Sequence, residues 1–305
     1  MPPNPLISPS PDPAVAIPLA ELKQHLVLFV DTPPGPKTAR AVYDLYLSTW
    51  GNPFCSYCST ALGNLMQDWT PAARLRFEQV ELPELRRSRT WGYGFFDNRA
   101  TDAWLMMFHG YQPASEPGRA SFYRFEFDWA LPAERLLKFT QDLLGIVGCV
   151  SGYAGYFFQA QANGALGKSS FNQVYAWARR YWGVEAEDLD VTVMHMRDAY
   201  KCPSWLTVIG QRLESKAPNA VAAAQSVAYR SSRLPGGVIL QAGEAPELGD
   251  RHRHERLANY EAIAQALLPL QVRNHASFGG TRWTTETTNG WLHRFTASDA
   301  FAAMP

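Results

Sequence analysis

The stretch QAGEAPELGDRHRHERLANY, residues 241 to 260, packs Glu244, Glu247, Asp250, His252 and His254 into eleven positions. Carboxylates and imidazoles at that density could hold a divalent metal for hydrolysis. A zinc site needs three or four N, S or O donors converging at about 2.0 to 2.3 Å, with neighbouring ligands on one face. Asp250, His252 and His254 share a face only if residues 250 to 254 are extended. The segment instead leads into an amphipathic helix whose N-terminal region would include His254, and on a helix i and i+2 diverge. Arg251 and Arg253 also add positive charge beside any metal. The better reading is a turn at Gly249, with Asp250 accepting backbone hydrogen bonds there as an N-cap. A metal-dependent hydrolase using Asp250, His252 and His254 is the alternative.

The other chemical spacings are weaker. Cys55 and Cys58 form a C-x-x-C in FCSYC, but a redox dithiol needs a thiolate at a helix N-terminus after a strand. This pair follows a helix that ends near Trp50 and Gly51, so two loop or core thiols are expected. No G-x-S-x-G elbow supports Ser151 as a nucleophile, and WGYGFF is no phosphate loop, because no helix follows it. Histidines 25, 109, 195, 252, 254, 275 and 293 are scattered, and a single one such as His195 in VTVMHMR reads as structural. Glu185, Glu187, Asp188 and Asp190 crowd in EAEDLD, which reads as a solvated face or a partner contact. No catalytic residue, metal ligand or cofactor is assigned, and the chain is not expected to be an enzyme.

These groups must be carried by the elements around them. The 305 residues are 46 % hydrophobic and 13 % aromatic, enough core for one large domain or two small ones. Lysine plus arginine and aspartate plus glutamate both number 28, so no overall field recruits nucleic acid or an anionic membrane. The first residues are proline-rich and lack the basic and apolar regions of a signal peptide. Four sparse cysteines fit a reducing compartment, and a cytoplasmic protein is expected.

After a Pro-rich arm over residues 1–24, HLVLFVD reads as a strand and KTARAVYDLYLSTWG as a helix, with Ala39, Val42, Tyr43, Tyr46 and Trp50 at helical spacing. RFEQVEL, WGYGFF, AWLMMFHGY and SFYRFEFDW read as an antiparallel meander, since no helical crossover separates them. Alternation in the last places Tyr123, Phe125, Phe127 and Trp129 on one face and Phe122, Arg124, Glu126 and Asp128 on the other. LPAERLLKFTQDLLGIVG gives a covering helix with a stripe of Leu136, Leu137, Phe139, Leu143 and Leu144. SGYAGYFFQA is a glycine-punctuated strand, SFNQVYAWARRYWG a helix, and VTVMHMR with SWLTVIG a second strand pair. QRLESKAPNAVAAAQSVAY is helical with a break near Pro218, LPGGVILQAG a strand, and HERLANYEAIAQALLPL a helix. The clusters indicate an α+β fold, mostly antiparallel sheet covered by amphipathic helices. Residues 25–305 form one domain, in which two α+β halves meeting near residue 160 are compatible with the pattern.

The order SFYRFEFDW, LPAERLLKF, SGYAGYFF, ARRYWGVEAEDLD, CPSWLTVIG, GGVILQAGEAPELGD, a helix bearing Tyr260 and LLPL, then WLHRF, resembles the bacterial type VI secretion immunity family. That family is also described as immunity to VRR-NUC effectors. The likeness runs from about residue 25 to 296 and rests on several spaced motifs. One departure is Trp182, where a proline is usual in the family's RYPGLD-like stretch, which puts the local turn in question.

The resemblance implies a cytoplasmic antitoxin that binds a cognate type VI effector, expected to be a nuclease, and covers its active site or DNA path. It implies no direct contact with nucleic acid or membrane. A nuclease groove is positive because it meets phosphate, so acidic side chains are the expected complement. On that expectation the toxin-binding residues are Glu185, Glu187, Asp188, Asp190, Glu244, Glu247 and Asp250, with Trp182 as an exposed anchor.

Overall fold

In the computed structural model, residues 4–10, 18–84, 90–97, 104–160, 167–297 and 301 are described. The strands are β1 (Ile7–Ser8), β2 (Ala20–Val30), β3 (Ser56–Ser59), β4 (Gln67–Asp68), β5 (Thr90–Phe96), β6 (Leu105–Tyr111), β7 (Ser121–Phe127), β8 (Ser151–Ala160), β9 (Leu206–Ile209), β10 (Arg230–Leu234) and β11 (Gly237–Gln241). The helices are α1 (Pro36–Trp50), α2 (Pro71–Arg76, continued as a π-turn over Phe77–Glu81), α3 (Ala133–Leu144), α4 (Gly167–Ala178), α5 (Leu189–Thr192), α6 (Gln211–Lys216), α7 (Pro218–Val227), α8 (Ala258–Leu267) and α9 (Thr285–Leu292).

All of these strands join one antiparallel sheet in the order β10-β11-β9-β8-β2-β7-β6-β5-β3-β4, with β1 beside the start of β2. The α+β assignment therefore holds, and β5, β6 and β7 form the expected meander. The sheet runs unbroken across the position near residue 160 where the pattern allows two halves: β2 pairs with β7 over Gln24–Val30 and with β8 over Ala20–Phe29. The strand expected from His25 begins at Ala20. Ala20–Gln24 and β1 thus belong to the sheet, although both lie in the segment that reads as an arm.

β2 is buried along its whole length because it is central and covered on both faces. The Phe125 and Phe127 face of β7 meets α1 and α3: Phe125 lies 5.1 Å from Phe139 and 6.0 Å from Tyr46, centroid to centroid. On the opposite face Arg124 pairs with Glu126 at 2.6 Å, so the alternation separates the two faces correctly. The stripe of α3 is buried through Leu136, Phe139, Leu143 and Leu144. At Gly152 a Cβ would stand 2.6 Å from the Val27 carbonyl oxygen, so its absence permits close β2–β8 pairing.

Two runs depart from their strand readings. RFEQVEL is helical, because Thr70 caps Ala73 N–H and Pro71 sits at the first helical position, placing Phe77 and Glu81 one turn apart on the buried side. VTVMHMR forms α5 and the turns after it, where Ala120 N–H donates to the Val193 carbonyl. Among the described residues no helix is long and apolar enough to cross a membrane.

Candidate functional site

EAEDLD does not form an exposed acidic face. Glu185 and Glu187 are 1 % and 7 % exposed and turn inward onto Lys201 and Arg294, which are equally buried. Lys201 Nζ stands 3.1 Å from Glu185 Oε2 and 3.3 Å from Glu187 Oε2, and donates to the Ala186 carbonyl at 2.7 Å. Arg294 Nη2 is 3.1 Å from Glu185 Oε1, while its Nε donates to the Trp182 carbonyl at 2.8 Å. The Tyr153 hydroxyl donates to Glu187. Two carboxylates and two cations leave the cluster electroneutral, the condition under which buried charge is tolerated.

Burial governs the ionisation of this cluster. It opposes the Lys201 charge, yet Glu187 and Glu185 hold the lysine pKa above its ordinary value. Burial lowers that of Arg294 and, reinforced by Glu185, pushes the Cys202 thiol up to about 12. The network holds elements together: it ties the 181–187 segment to residues 201–202 and to the turn after α9.

The 241–260 stretch folds against that network. Leaving β11, the chain turns at Gly249, whose φ of +63° is left-handed. It is laced to residues 180–183 by Trp182 N–H to Gly249 O at 3.2 Å, Gly183 N–H to Leu248 O at 2.9 Å and Arg251 N–H to Arg180 O at 2.9 Å. Asp250 accepts from Arg180 Nε and Nη2 at 2.9 and 2.6 Å and from His252 N–H at 3.0 Å. The Arg180 hydrogen bond, opposed by burial and helped by the His252 N–H, brings its pKa down to about 2. Asp250 is thus a cap, as expected, but for a 3-10 turn over Arg251–Arg253. His254 is left-handed at φ +58°, and α8 begins only at Ala258, later than expected.

This placement corrects the acidic-patch expectation. Asp250 is buried against Arg180, Trp182 is 3 % exposed and so cannot be an exposed anchor, and Glu185 and Glu187 belong to the core. Asp188 is half-buried and accepts from Gly279 N–H at 3.0 Å. Asp190, Glu244 and Glu247 are exposed. The turn questioned at Trp182 forms without the proline, closed by Val184 N–H to Tyr181 O at 3.3 Å.

What the stretch does present is cationic. Residues 251 to 256, RHRHER, are all exposed. Arg251 lays its guanidinium over the Trp182 ring, 4.1 Å from the centroid. Arg179, Arg180, Trp182, Arg251, His252 and His254 line a cavity of about 480 Å3. Asp250 faces Arg180 rather than the imidazoles, and among the described residues no group of three His, Cys, Asp or Glu has metal-holding geometry. Cys58 lies in β3, not at a helix N-terminus, and burial raises its thiol pKa, the opposite of a reactive dithiol.

A second cavity, of about 770 Å3, had no sequence signal because its walls come from distant segments, including Met194, His195, Arg197, Arg212 and Arg273. Asp31 bridges Arg197 and Arg212 there, at 3.0 and 2.6 Å.

The TsiV family, described as type VI immunity for VRR-NUC, matches residues 73–295. No curated protein matches. Among solved structures, the Pseudomonas aeruginosa T6SS protein PA0821 is similar at a TM-score of 0.75 and 17 % identity, over 95 % of this chain and 88 % of that one. At that identity the likeness is one of fold.

Proposed function

The chain belongs to the TsiV family of type VI immunity proteins for VRR-NUC, and from that premise we propose that it is a stoichiometric antitoxin. It acts in the cytoplasm, binding a cognate nuclease effector and covering the effector's active site or DNA path. The observation that carries this reading is the family match, which spans β5 to β11 and every helix from α3 to α9. The geometry agrees with a binding role. The titratable groups drawn together in the interior are neutralised by one another, and the charge that remains free lies on an exposed rim.

To the phosphate-binding surface of the effector we assign the exposed Glu244 and Glu247, with Asp190 in α5 and half-buried Asp188 just before it as a separate pair. Neutralisation needs no turnover, only a surface of the size of a stable interface.

Co-expression with the product of the neighbouring gene tests the proposal. A stable equimolar complex together with restored growth is the expected result. Growth arrest that this chain does not relieve, with no complex on gel filtration, would rule that pairing out.

A further inference from the structure

The cationic cleft beside Trp182 lies outside the acidic complementarity proposed above. We propose that this cleft, with Arg251, His252 and His254 at its mouth, seats a carboxylate-bearing segment of the effector nuclease. This rests on the antitoxin reading and adds the chemistry of the contact.

Arg251, His252 and His254 are exposed, and none of their side chains has a carboxylate partner among the described residues. Arg251 is also pre-positioned. Its guanidinium lies over the Trp182 ring, and Trp182 is fixed by its carbonyl to Arg294 and by its N–H to Gly249. Less side-chain freedom is therefore lost on binding than from a freely rotating arginine. Trp182 itself is buried, so what it contributes to the cleft is a fixed platform for the Arg251 guanidinium rather than a donor of its own. The wall already shows the intended geometry, since Arg180 grips the Asp250 carboxylate through two N–H groups.

The surroundings favour a protein carboxylate over nucleic acid. Glu247 and Glu255 lie close enough for mutual repulsion to raise the Glu247 pKa, after the effect of burial, and both are exposed beside the cationic turn. Those carboxylates repel phosphate and carboxylate alike, so extent decides: a chain of zero net charge has no wide positive field to hold a continuous phosphate backbone, whereas a single carboxylate needs only the cleft. A metal-dependent nuclease surface offers the matching pattern, with metal-binding carboxylates set among cations that meet DNA. The Arg251 guanidinium brings positive charge to such a carboxylate, and the two imidazole rings offer N–H donors beside it.

The test is titration calorimetry of the full chain against the product of the neighbouring gene, using wild type, Arg251→Glu and the double variant His252→Ala/His254→Asn. Asparagine at 254 tolerates the left-handed backbone. Unchanged melting temperatures exclude misfolding as the cause. The expected result is binding weakened about 30-fold or more by Arg251→Glu, a smaller loss for the histidine pair, and weaker wild-type binding as Mg2+ is added. Wild-type affinity retained in both variants would overturn the inference and leave the antitoxin reading intact. No binding by wild type would overturn both. A short DNA duplex is the second probe: binding by wild type that Arg251→Glu abolishes would make nucleic acid the occupant and overturn the proposal.

Discussion

Arg294 holds Trp182 by its main chain: the guanidinium Nε donates to the Trp182 carbonyl at 2.8 Å, while Nη2 reaches Glu185 at 3.1 Å. On its other side the same tryptophan carries Arg251. A sealed ionic cluster is thereby coupled through one residue to a cation at the surface. The cluster's value lies in where it holds Trp182 as much as in energy, because buried ion pairs offset their desolvation only in part.

The ionic cluster should behave as a unit. Arg294→Met leaves two buried carboxylates facing one lysine, and an unpaired buried charge costs about 3–5 kcal/mol. The double variant Glu185→Gln/Arg294→Met restores neutrality and should lose less than the single arginine variant. Urea unfolding midpoints measure the difference. Strictly additive losses would show that the two groups are not coupled.

Gly183 should not tolerate a side chain. A Cβ there would overlap the Glu247 carbonyl oxygen and press on Leu248, which is backbone and cannot rotate away. Gly183→Ala should therefore lift the 247–250 loop from residues 181–183 and destabilise by about 1–3 kcal/mol, the usual scale for forced overpacking. Hydrogen exchange is the direct readout: the Gly183 amide, which donates to Leu248, should lose protection. Protection equal to wild type would refute the close-approach argument.

The two faces of β7, the stripe of α3 and the Gly249–Asp250 turn are legible in the sequence because each depends on residues near one another along the chain. EAEDLD misleads for the opposite reason. Its neutralising partners, Lys201 and Arg294, are distant in the chain, and local acid density carries no information about them. RFEQVEL misleads although the needed signal is local: Thr70-Pro71 is a helix start, and it outweighs a short alternating run. The cleft is half legible. RHRH is plain in the sequence, whereas its stacking partner Trp182 and the wall residue Arg180 come from the other side of a chain reversal.

His275 should make stability fall on mild acidification. Burial, helped by His195 and Lys201, brings its pKa down to about 4, against an ordinary value of 6.5. The ring is neutral in the fold, with Nδ1 2.6 Å from the Ala276 carbonyl and Nε2 3.3 Å from Thr192 Oγ1. Between pH 6.5 and about 4 the unfolded chain binds the proton and the folded chain does not, so stability present above pH 6.5 is lost as pH falls to about 4. His275→Gln should flatten that slope in melting temperatures recorded across the window. An unchanged slope would assign the loss to other histidines, such as His25, which burial also depresses.

Asp250 acts in a lower window and with a different cause. Its pKa of about 2, against an ordinary 3.8, comes first from the Arg180 hydrogen bond. The carboxylate is charged in both states above about pH 4, where the ion pair contributes in full. Below that the unfolded chain takes up the proton first, so the contribution is lost as pH falls from about 4 to about 2. Asp250→Asn keeps an oxygen for His252 N–H but removes the charge that Arg180 grips, and Asp250→Ala removes both. Wild type should therefore exceed the asparagine variant in stability at neutral pH, with alanine lower still by roughly 1 kcal/mol for the lost cap. The gap between wild type and asparagine should close as pH falls through the window, while the gap between asparagine and alanine should persist. If the first gap stayed constant below about pH 4, the charge of Asp250 would not be what anchors the 249–254 turn to Arg180.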